Sequence, residues 1–146
     1  MDTFTLGTDA KPCSIRTFLA QKGISLTNWR KIKNEGTILV NGLPASISQH
    51  LKPGDIVSFS APVPASSVVP EVGPLKIIYE DEYLIILDKP ADMLVHPTVK
   101  SASHTLSNYL AGYYANNNIT AAIHPIFRLD RNTSGLVVFA KKPLIQ

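Results

Sequence analysis

A short segment near the C-terminal end concentrates side chains that could do chemistry. Residues 128–135 hold two guanidinium groups, one carboxylate and three small residues, namely Arg128, Arg131, Asp130, Thr133, Ser134 and Gly135. A neighbouring arginine favours the ionised form of a carboxylate and so lowers its pKa. An ionised, partly buried carboxylate can act as a nucleophile. The same composition also suits a purely structural turn, in which Asp130 accepts hydrogen bonds from backbone amides.

Other reaction classes have less support. The histidines His96, His104 and His124 lie eight and twenty residues apart, without cysteine or paired acids at ligand spacing, so we expect no metal site. Residues 133–135 lack the frame of a serine nucleophile elbow. Glycine-rich phosphate loops are absent from the sequence, which gives nucleotide hydrolysis no support.

The excess positive charge lies in the first part of the chain. Residues 1–60 hold seven Lys/Arg against four Asp/Glu, which accounts for the whole net charge of +3, whereas residues 61–146 hold seven of each. This distribution suits a polyanionic partner for the first part, although an ordinary solvated surface would show it too.

The sequence also bears on the compartment. The N-terminus lacks the basic start and apolar core of a secretory signal, and the single Cys13 cannot form an internal disulfide. No uninterrupted apolar stretch reaches the roughly 18–20 residues of a membrane span. We expect a cytoplasmic, monomeric protein without a membrane contact.

Two helices are predicted in the first part of the chain. Ser14 can cap a helix that Gly23 ends, and Thr27 is the expected N-cap of a second helix. Gly36 suits the left-handed position just past the second helix. The helix pair should carry a ridge of five basic side chains, namely Arg16, Lys22, Arg30, Lys31 and Lys33.

A small antiparallel sheet should follow the helices. Residues 37–40 form a β-branched run that enters Asn41-Gly42, a strong hairpin signal, and residues 56–59 form another strand. Residues 61–74 contain four prolines and should be a semi-rigid, extended linker. The expected domains are therefore 1–60 and 75–146.

The first domain resembles a known RNA-binding module. Residues 29–42 (WRKIKNEGTILVNG) and 51–55 (LKPGD), within the span 14–59, look like the S-four RNA-binding domain. The resemblance implies that the helix pair and the adjoining hairpin contact structured RNA, which agrees with the charge distribution.

The second domain opens with two strand-like runs, 75–79 and 83–87. Their apolar residues are too dense for one-sided exposure, so both strands should lie in a well-covered sheet. Residues 103–114 read as a helix whose Tyr109 and Tyr113 pack in the core, and 136–140 as a strand. The predicted fold class is α+β: a two-helix unit with an antiparallel sheet, a proline-rich linker, then the beginning of a mixed or antiparallel sheet domain.

A second resemblance covers this domain. Residues 77–97 (IIYEDEYLIILDKPADMLVHP) and 127–142 (FRLDRNTSGLVVFAKK) are similar in sequence and spacing to the opening of the RluA/RluD-type pseudouridine synthases. The resemblance implies that Asp130 is the nucleophilic aspartate and that Arg128 and Arg131 serve the site and the RNA backbone. It also implies a role for three residues in holding the shape of the loop, namely Thr133, Ser134 and Gly135.

The implied reaction needs no cofactor or metal. A uridine of ribosomal or transfer RNA is flipped from its stack, Asp130 assists breakage of the glycosidic bond, and the uracil rejoins the ribose through carbon 5. A covalent adduct and a glycal route both remain open. Since the severed base must be held while it turns, we expect a snug, water-poor pocket.

The chain departs from the family pattern at two positions and in length. Phe127 stands where histidine is usual, and Asp92 where glycine is usual, although aspartate tolerates left-handed backbone better than most residues. Synthase domains of this family continue well beyond the motif, so we expect the chain to be an incomplete piece of an enzyme. The alternative is an RNA-binding module whose second domain is catalytically inert.

Overall fold

Contacts along the backbone divide the chain into two units, Met1–Pro62 and Val63–Gln146, and each unit has its own buried apolar side chains. The computed structural model describes residues 1–61, 63 and 66–142. The first unit contains β1 (Asp2–Thr5), β2 (Cys13–Ser14), α1 (Ile15–Gln21), α2 (Leu26–Glu35), β3 (Thr37–Val40), β4 (Leu43–Pro44), β5 (His50–Leu51) and β6 (Ile56–Ser60). The second contains β7 (Ile77–Glu80), β8 (Leu84–Lys89), α3 (Leu106–Asn116), β9 (His124–Pro125) and β10 (Gly135–Ala140).

Serine side chains begin both helices of the first unit. Ser14 caps α1 as predicted, since its hydroxyl accepts the third amide along the chain at 3.1 Å. The predicted cap of α2 was wrong: Ser25 caps it, and Thr27 lies inside the first turn. Gly36 is extended (φ −97°) rather than left-handed, and glycine is needed there because a Cβ would overlap the carbonyl oxygens of Ser60 and Ile32.

The sheet of the first unit has the antiparallel order β1-β6-β3-β4. Its hairpin turns at Asn41 and Gly42 as predicted, both with positive φ (52° and 81°). Strand β1 was not predicted, because Asp2–Thr5 is too short to show a clear alternation of buried and exposed residues. The helices cover this unit's core with buried apolar side chains, among them Phe18 and Ile32.

The sheet of the second unit has the order β7-β8-β10-β9, with every pair antiparallel. Strand β8 alternates between half-buried and buried residues and lies between β7 and β10. The prediction that both opening strands are well covered was wrong for β7, whose Ile77, Ile78 and Tyr79 are exposed. Strand β7 is one of the two edge strands of this sheet and pairs with β8 alone, so the described residues leave much of it in contact with solvent.

Helix α3 packs on the second sheet and holds the second half of the proline-rich segment. Its N-cap is Thr105, two residues later than the helix start expected from the sequence. The segment 66–74, which we term the strap, contributes buried Val68 to the core of this unit. The Glu71 amide donates to the Asn108 carbonyl at 3.0 Å, so the strap is attached to α3 rather than free along its whole length.

The fold class is α+β, as predicted. In the part of the chain that the structure describes, no helix combines the length and apolar character needed to cross a membrane.

Candidate active site

The pairing of β8 with β10 brings two loops to one end of the second sheet. Gly135 pairs with Lys89, so the turn at residues 90–93 lies beside the segment 128–134. The Met93 amide donates to the Arg131 carbonyl at 3.2 Å and joins the two loops directly. The sequence did not predict this junction, since it depends on the register of the two strands.

Asp130 lies on the exposed part of the second loop. Its backbone carbonyl accepts the Thr133 amide at 3.1 Å, which forms a tight turn. Its carboxylate makes no hydrogen bond or ion pair with the described residues, so the alternative of a turn tied by this side chain is not what the structure shows. The described residues leave Asp130 exposed, and the snug pocket around it stays a prediction.

The side chain of Arg131, the residue after Asp130, forms an ion pair with Asp92. Arg131 Nε donates to Asp92 Oδ1 at 2.9 Å, with both side chains largely exposed. Asp92 has φ 61°, which confirms that aspartate accommodates the left-handed backbone at this turn. The Nε of Arg131 is thus engaged by Asp92 across the loop junction, and Arg131 forms no ion pair with Asp130.

A lysine that the sequence analysis missed lies beneath this junction. Lys89 is fully buried, and its ammonium donates to the carbonyl oxygens of Pro90, Met93 and Arg131 at 2.9, 2.8 and 3.1 Å. Burial lowers its pKa, while the negative charges of Asp130 and Asp92 act in the opposite direction.

The sequence did contain a signal for this lysine. In β8, Ile85 and Leu87 occupy alternate positions on the buried side of the sheet, and Lys89 is the next residue in that series. Since side chains two apart in a strand lie on the same face, the alternation places Lys89 on the core side. A buried lysine of this kind must have acceptors for its three protons.

The loop ends in three small residues, namely Thr133, Ser134 and Gly135. Gly135 has φ +143°, and a Cβ there would contact the Leu129 side chain at 3.5 Å. Thr133 contributes its amide to the turn with Asp130, and the Ser134 side chain is exposed. Phe127, which precedes the first arginine of the loop, is 46% exposed.

Arg128 lies on the exposed side of the same loop and influences His96. Burial lowers the pKa of His96, and the positive charge of Arg128 lowers it further. The Ser107 hydroxyl donates to the Val95 carbonyl at 2.7 Å. Because that hydroxyl has one proton, the contact of 3.2 Å between His96 Nδ1 and Ser107 Oγ assigns the proton to Nδ1.

Among the described residues, no group of three or more His, Cys, Asp or Glu lies together as metal ligands could.

Of the basic residues predicted on the first unit, Arg16 lies on α1, Lys22 is the C-cap of α1, and Arg30, Lys31 and Lys33 lie on α2. Arg16, Arg30 and Lys33 are exposed, while Lys31 is half-buried. Lys22 differs from the other basic residues because its ammonium lies 5.6 Å from the ring centroids of two phenylalanines, Phe4 and Phe18. This contact gives Lys22 a partner within its own unit.

Comparisons with known proteins find similarity to RNA pseudouridine synthases. Residues 83–146 match the model of the family described as RNA pseudouridylate synthase. The chain is 32% identical over 146 residues to "Uncharacterized RNA pseudouridine synthase YlyB" of Bacillus subtilis, covering 96% of the chain and 48% of that protein.

Two further relatives are named for particular RNAs. "Ribosomal large subunit pseudouridine synthase D" of Neisseria meningitidis is 33% identical over 80% of the chain and 31% of its own length. "tRNA pseudouridine(32) synthase, mitochondrial" of Saccharomyces cerevisiae is 33% identical over 78% of the chain and 23% of its own length. The chain thus spans less than half the length of each of these three relatives.

Proposed function

Because residues 83–146 belong to the RNA pseudouridylate synthase family, we propose that this chain is part of an enzyme that isomerises uridine in structured RNA, with Asp130 as the nucleophile. The observation that carries the proposal is the state of the Asp130 loop. Its carboxylate is exposed and makes no hydrogen bond or ion pair with the described residues, while the adjoining backbone is held by Lys89. A group in this arrangement is available to a large substrate without losing its position.

The chemistry needs a carboxylate beside the ribose of a flipped uridine. The bond from N1 to C1′ breaks, the uracil turns within the site, and a bond from C5 to C1′ forms. The proton that leaves C5 is balanced by the proton that N1 gains, so the reaction is an isomerisation. The covalent route and the glycal route both begin from an ionised carboxylate.

Lys89 and Arg128 have supporting roles in this proposal. The buried ammonium of Lys89 holds three backbone carbonyls around the loop junction and places a positive charge near Asp130. Arg128 is exposed on the same loop and is available for an RNA phosphate.

We propose that the first unit binds RNA as an S-four-like domain. Its helices carry the exposed basic residues, and the chain's net positive charge lies within residues 1–60. Lysine and arginine on one surface release counterions when they neutralise phosphates, and this effect supplies most nonspecific affinity for RNA. Ribosomal and transfer RNA are both candidate substrates, since two of the relatives reported above are named for one or the other.

The alternative is an RNA-binding module with an inert second unit. The exposure of Asp130 favours it in one respect, because the described residues do not enclose a flipped base. The two functions differ in one measurement, which is pseudouridine formation by the intact protein on ribosomal and transfer RNA.

The test replaces Asp130 with alanine and with asparagine in the intact protein. We expect both variants to lose pseudouridine formation and to keep RNA affinity. The matched control is Asp88→Asn, since Asp88 lies on the neighbouring strand and pairs with Lys76 at 2.7 Å. Activity that persists in Asp130→Ala rules out the proposed nucleophile, and an intact protein without any activity favours the binding module.

A further inference from the structure

We infer that Asp92 is a positioning residue, which orients the guanidinium of Arg131 toward a phosphate of the bound RNA. The inference rests on the proposed function, because it requires an RNA strand over the Asp130 loop. The Asp92 carboxylate also repels a nearby phosphate. Its removal therefore weakens RNA binding if orientation of Arg131 dominates and strengthens RNA binding if repulsion dominates.

The geometry links the two residues through side chain and backbone. Arg131 Nε donates to Asp92 Oδ1 at 2.9 Å, and the two side chains are 60% and 79% exposed. The backbone on both sides is fixed, since the Arg131 carbonyl accepts from the Met93 amide at 3.2 Å and from Lys89 Nζ at 3.1 Å. The ion pair therefore adds orientation to a residue whose main chain is already held.

The turn itself does not require a carboxylate at this position. Asp92 has φ 61°, a conformation that glycine adopts freely and aspartate adopts at some cost. The side chain of Asp92 has a direct contact that glycine could not make, which is the hydrogen bond from Arg131.

The contact leaves most of the guanidinium available. Arginine has five N–H donors, and the bond from Nε to Asp92 uses one of them. The four N–H groups of Nη1 and Nη2 can still donate to a phosphate, and two of them can do so in parallel. Arg131 is thus able to bind Asp92 and a phosphate together.

Two opposing effects determine how the loss of Asp92 changes RNA affinity. Ordering a long side chain on binding reduces affinity by about two- to tenfold, and a partner that orders it beforehand removes part of that loss. One exposed carboxylate near a phosphate reduces affinity by less than about twofold at physiological salt, since both charges are solvated and screened. Orientation should therefore dominate at about 0.15 M salt.

The experiment measures affinity of the intact protein for large-subunit ribosomal RNA and for unfractionated transfer RNA. Asp92→Gly should weaken binding by about threefold, since exposed ion pairs have effects of this size. Asp92→Asn keeps an acceptor oxygen and tolerates the left-handed backbone, so it should recover part of the loss. Arg131→Ala should weaken binding further, and adding Asp92→Gly to it should cause no additional weakening.

Tighter binding by Asp92→Gly would overturn the inference, because it would show that repulsion dominates. An equal effect of Asp92→Gly with and without Arg131 would overturn it as well. Asp88→Asn serves as the control for loss of one paired carboxylate in the same unit, and unfolding midpoints show that each variant is folded.

Steady-state kinetics of active protein adds a second readout. If Asp92 orients Arg131 for RNA binding, Asp92→Gly should raise KM and leave kcat unchanged. If RNA binds and is modified without coupling between the two residues, the inference fails while the proposed function stands. If the coupling is present and Asp130→Ala remains active, the inference stands and the proposed nucleophile is wrong. Absence of RNA binding overturns both.

Discussion

Lys89 Nζ donates a hydrogen bond of 3.1 Å to the carbonyl oxygen of Arg131, the residue that follows Asp130 in the chain. Lys89 ends β8, and Arg131 lies in the loop before β10, so the bond joins segments that are 42 residues apart. The ammonium is fully buried and donates to two further carbonyls in the turn after β8. The candidate active loop is therefore anchored from inside the unit by one side chain.

Replacing Lys89 with methionine should destabilise the second unit by about 3 kcal/mol, because three carbonyl oxygens lose a hydrogen bond from a buried ammonium, although the Arg131 carbonyl keeps the Met93 amide as a donor. Urea unfolding followed by circular dichroism measures the loss. The control is Lys76→Met: Lys76 pairs with Asp88 but has a 71% exposed side chain, so its loss should cost less than about 1 kcal/mol. Equal losses for the two lysines would contradict the anchoring role.

Gly112→Ala should destabilise the protein although it lies in a helix. Alanine at an ordinary helical glycine gains about 1 kcal/mol. At Gly112 a Cβ would overlap the Glu71 carbonyl oxygen, so the strap must move away from α3 at a cost of about 2 kcal/mol. Thermal unfolding measures the sign. Gly7→Ala is the control, since a Cβ there would have no atom within 4 Å, and a gain in stability at Gly112 would argue against close packing of the strap.

His96 should make stability depend on pH in the mildly acidic range. Burial and the charge of Arg128 lower its pKa in the folded protein. The unfolded chain therefore binds a proton more readily, starting near the ordinary value of about 6.5. The contribution of neutral His96 to the free energy of unfolding is fully present above that pH. It is lost as the pH drops toward the lower pKa of the folded state. His96→Gln should reduce this loss, which chemical unfolding between pH 7.5 and pH 5 at about 0.15 M salt can measure. An unchanged pH dependence in the variant would contradict the prediction.

Reversing the charge of Arg30 and Lys33 together should reduce affinity for structured RNA by more than about tenfold, and the slope of log affinity against log salt should fall by about two. Filter binding over a salt series measures both quantities. The matched control reverses Lys11 and Lys52, which changes the net charge of the same unit equally but lies outside α1 and α2. A similar loss in the control would show that total charge, rather than the helix surface, governs binding.

Local signals in the sequence predicted several elements well. The hairpin at Asn41-Gly42 was predicted because both residues favour positive φ, and the structure shows it. The cap of α2 was misplaced because Ser25 and Thr27 are both good N-cap residues and local propensity does not choose between them. Gly36 was assigned to a left-handed cap, whereas the need for glycine comes from Ser60, a residue distant in sequence.

The sequence by itself determined the family resemblance, the α+β class and Asp130 as the candidate nucleophile, since these depend on residue types and short spacings. The tertiary structure decided which groups surround that carboxylate. The pairing of Gly135 with Lys89 brings Asp92 and Lys89 to the Asp130 loop, and Arg131 binds Asp92 there. Contacts of this kind depend on strand register, which arises from packing of the whole sheet rather than from any local run of residues.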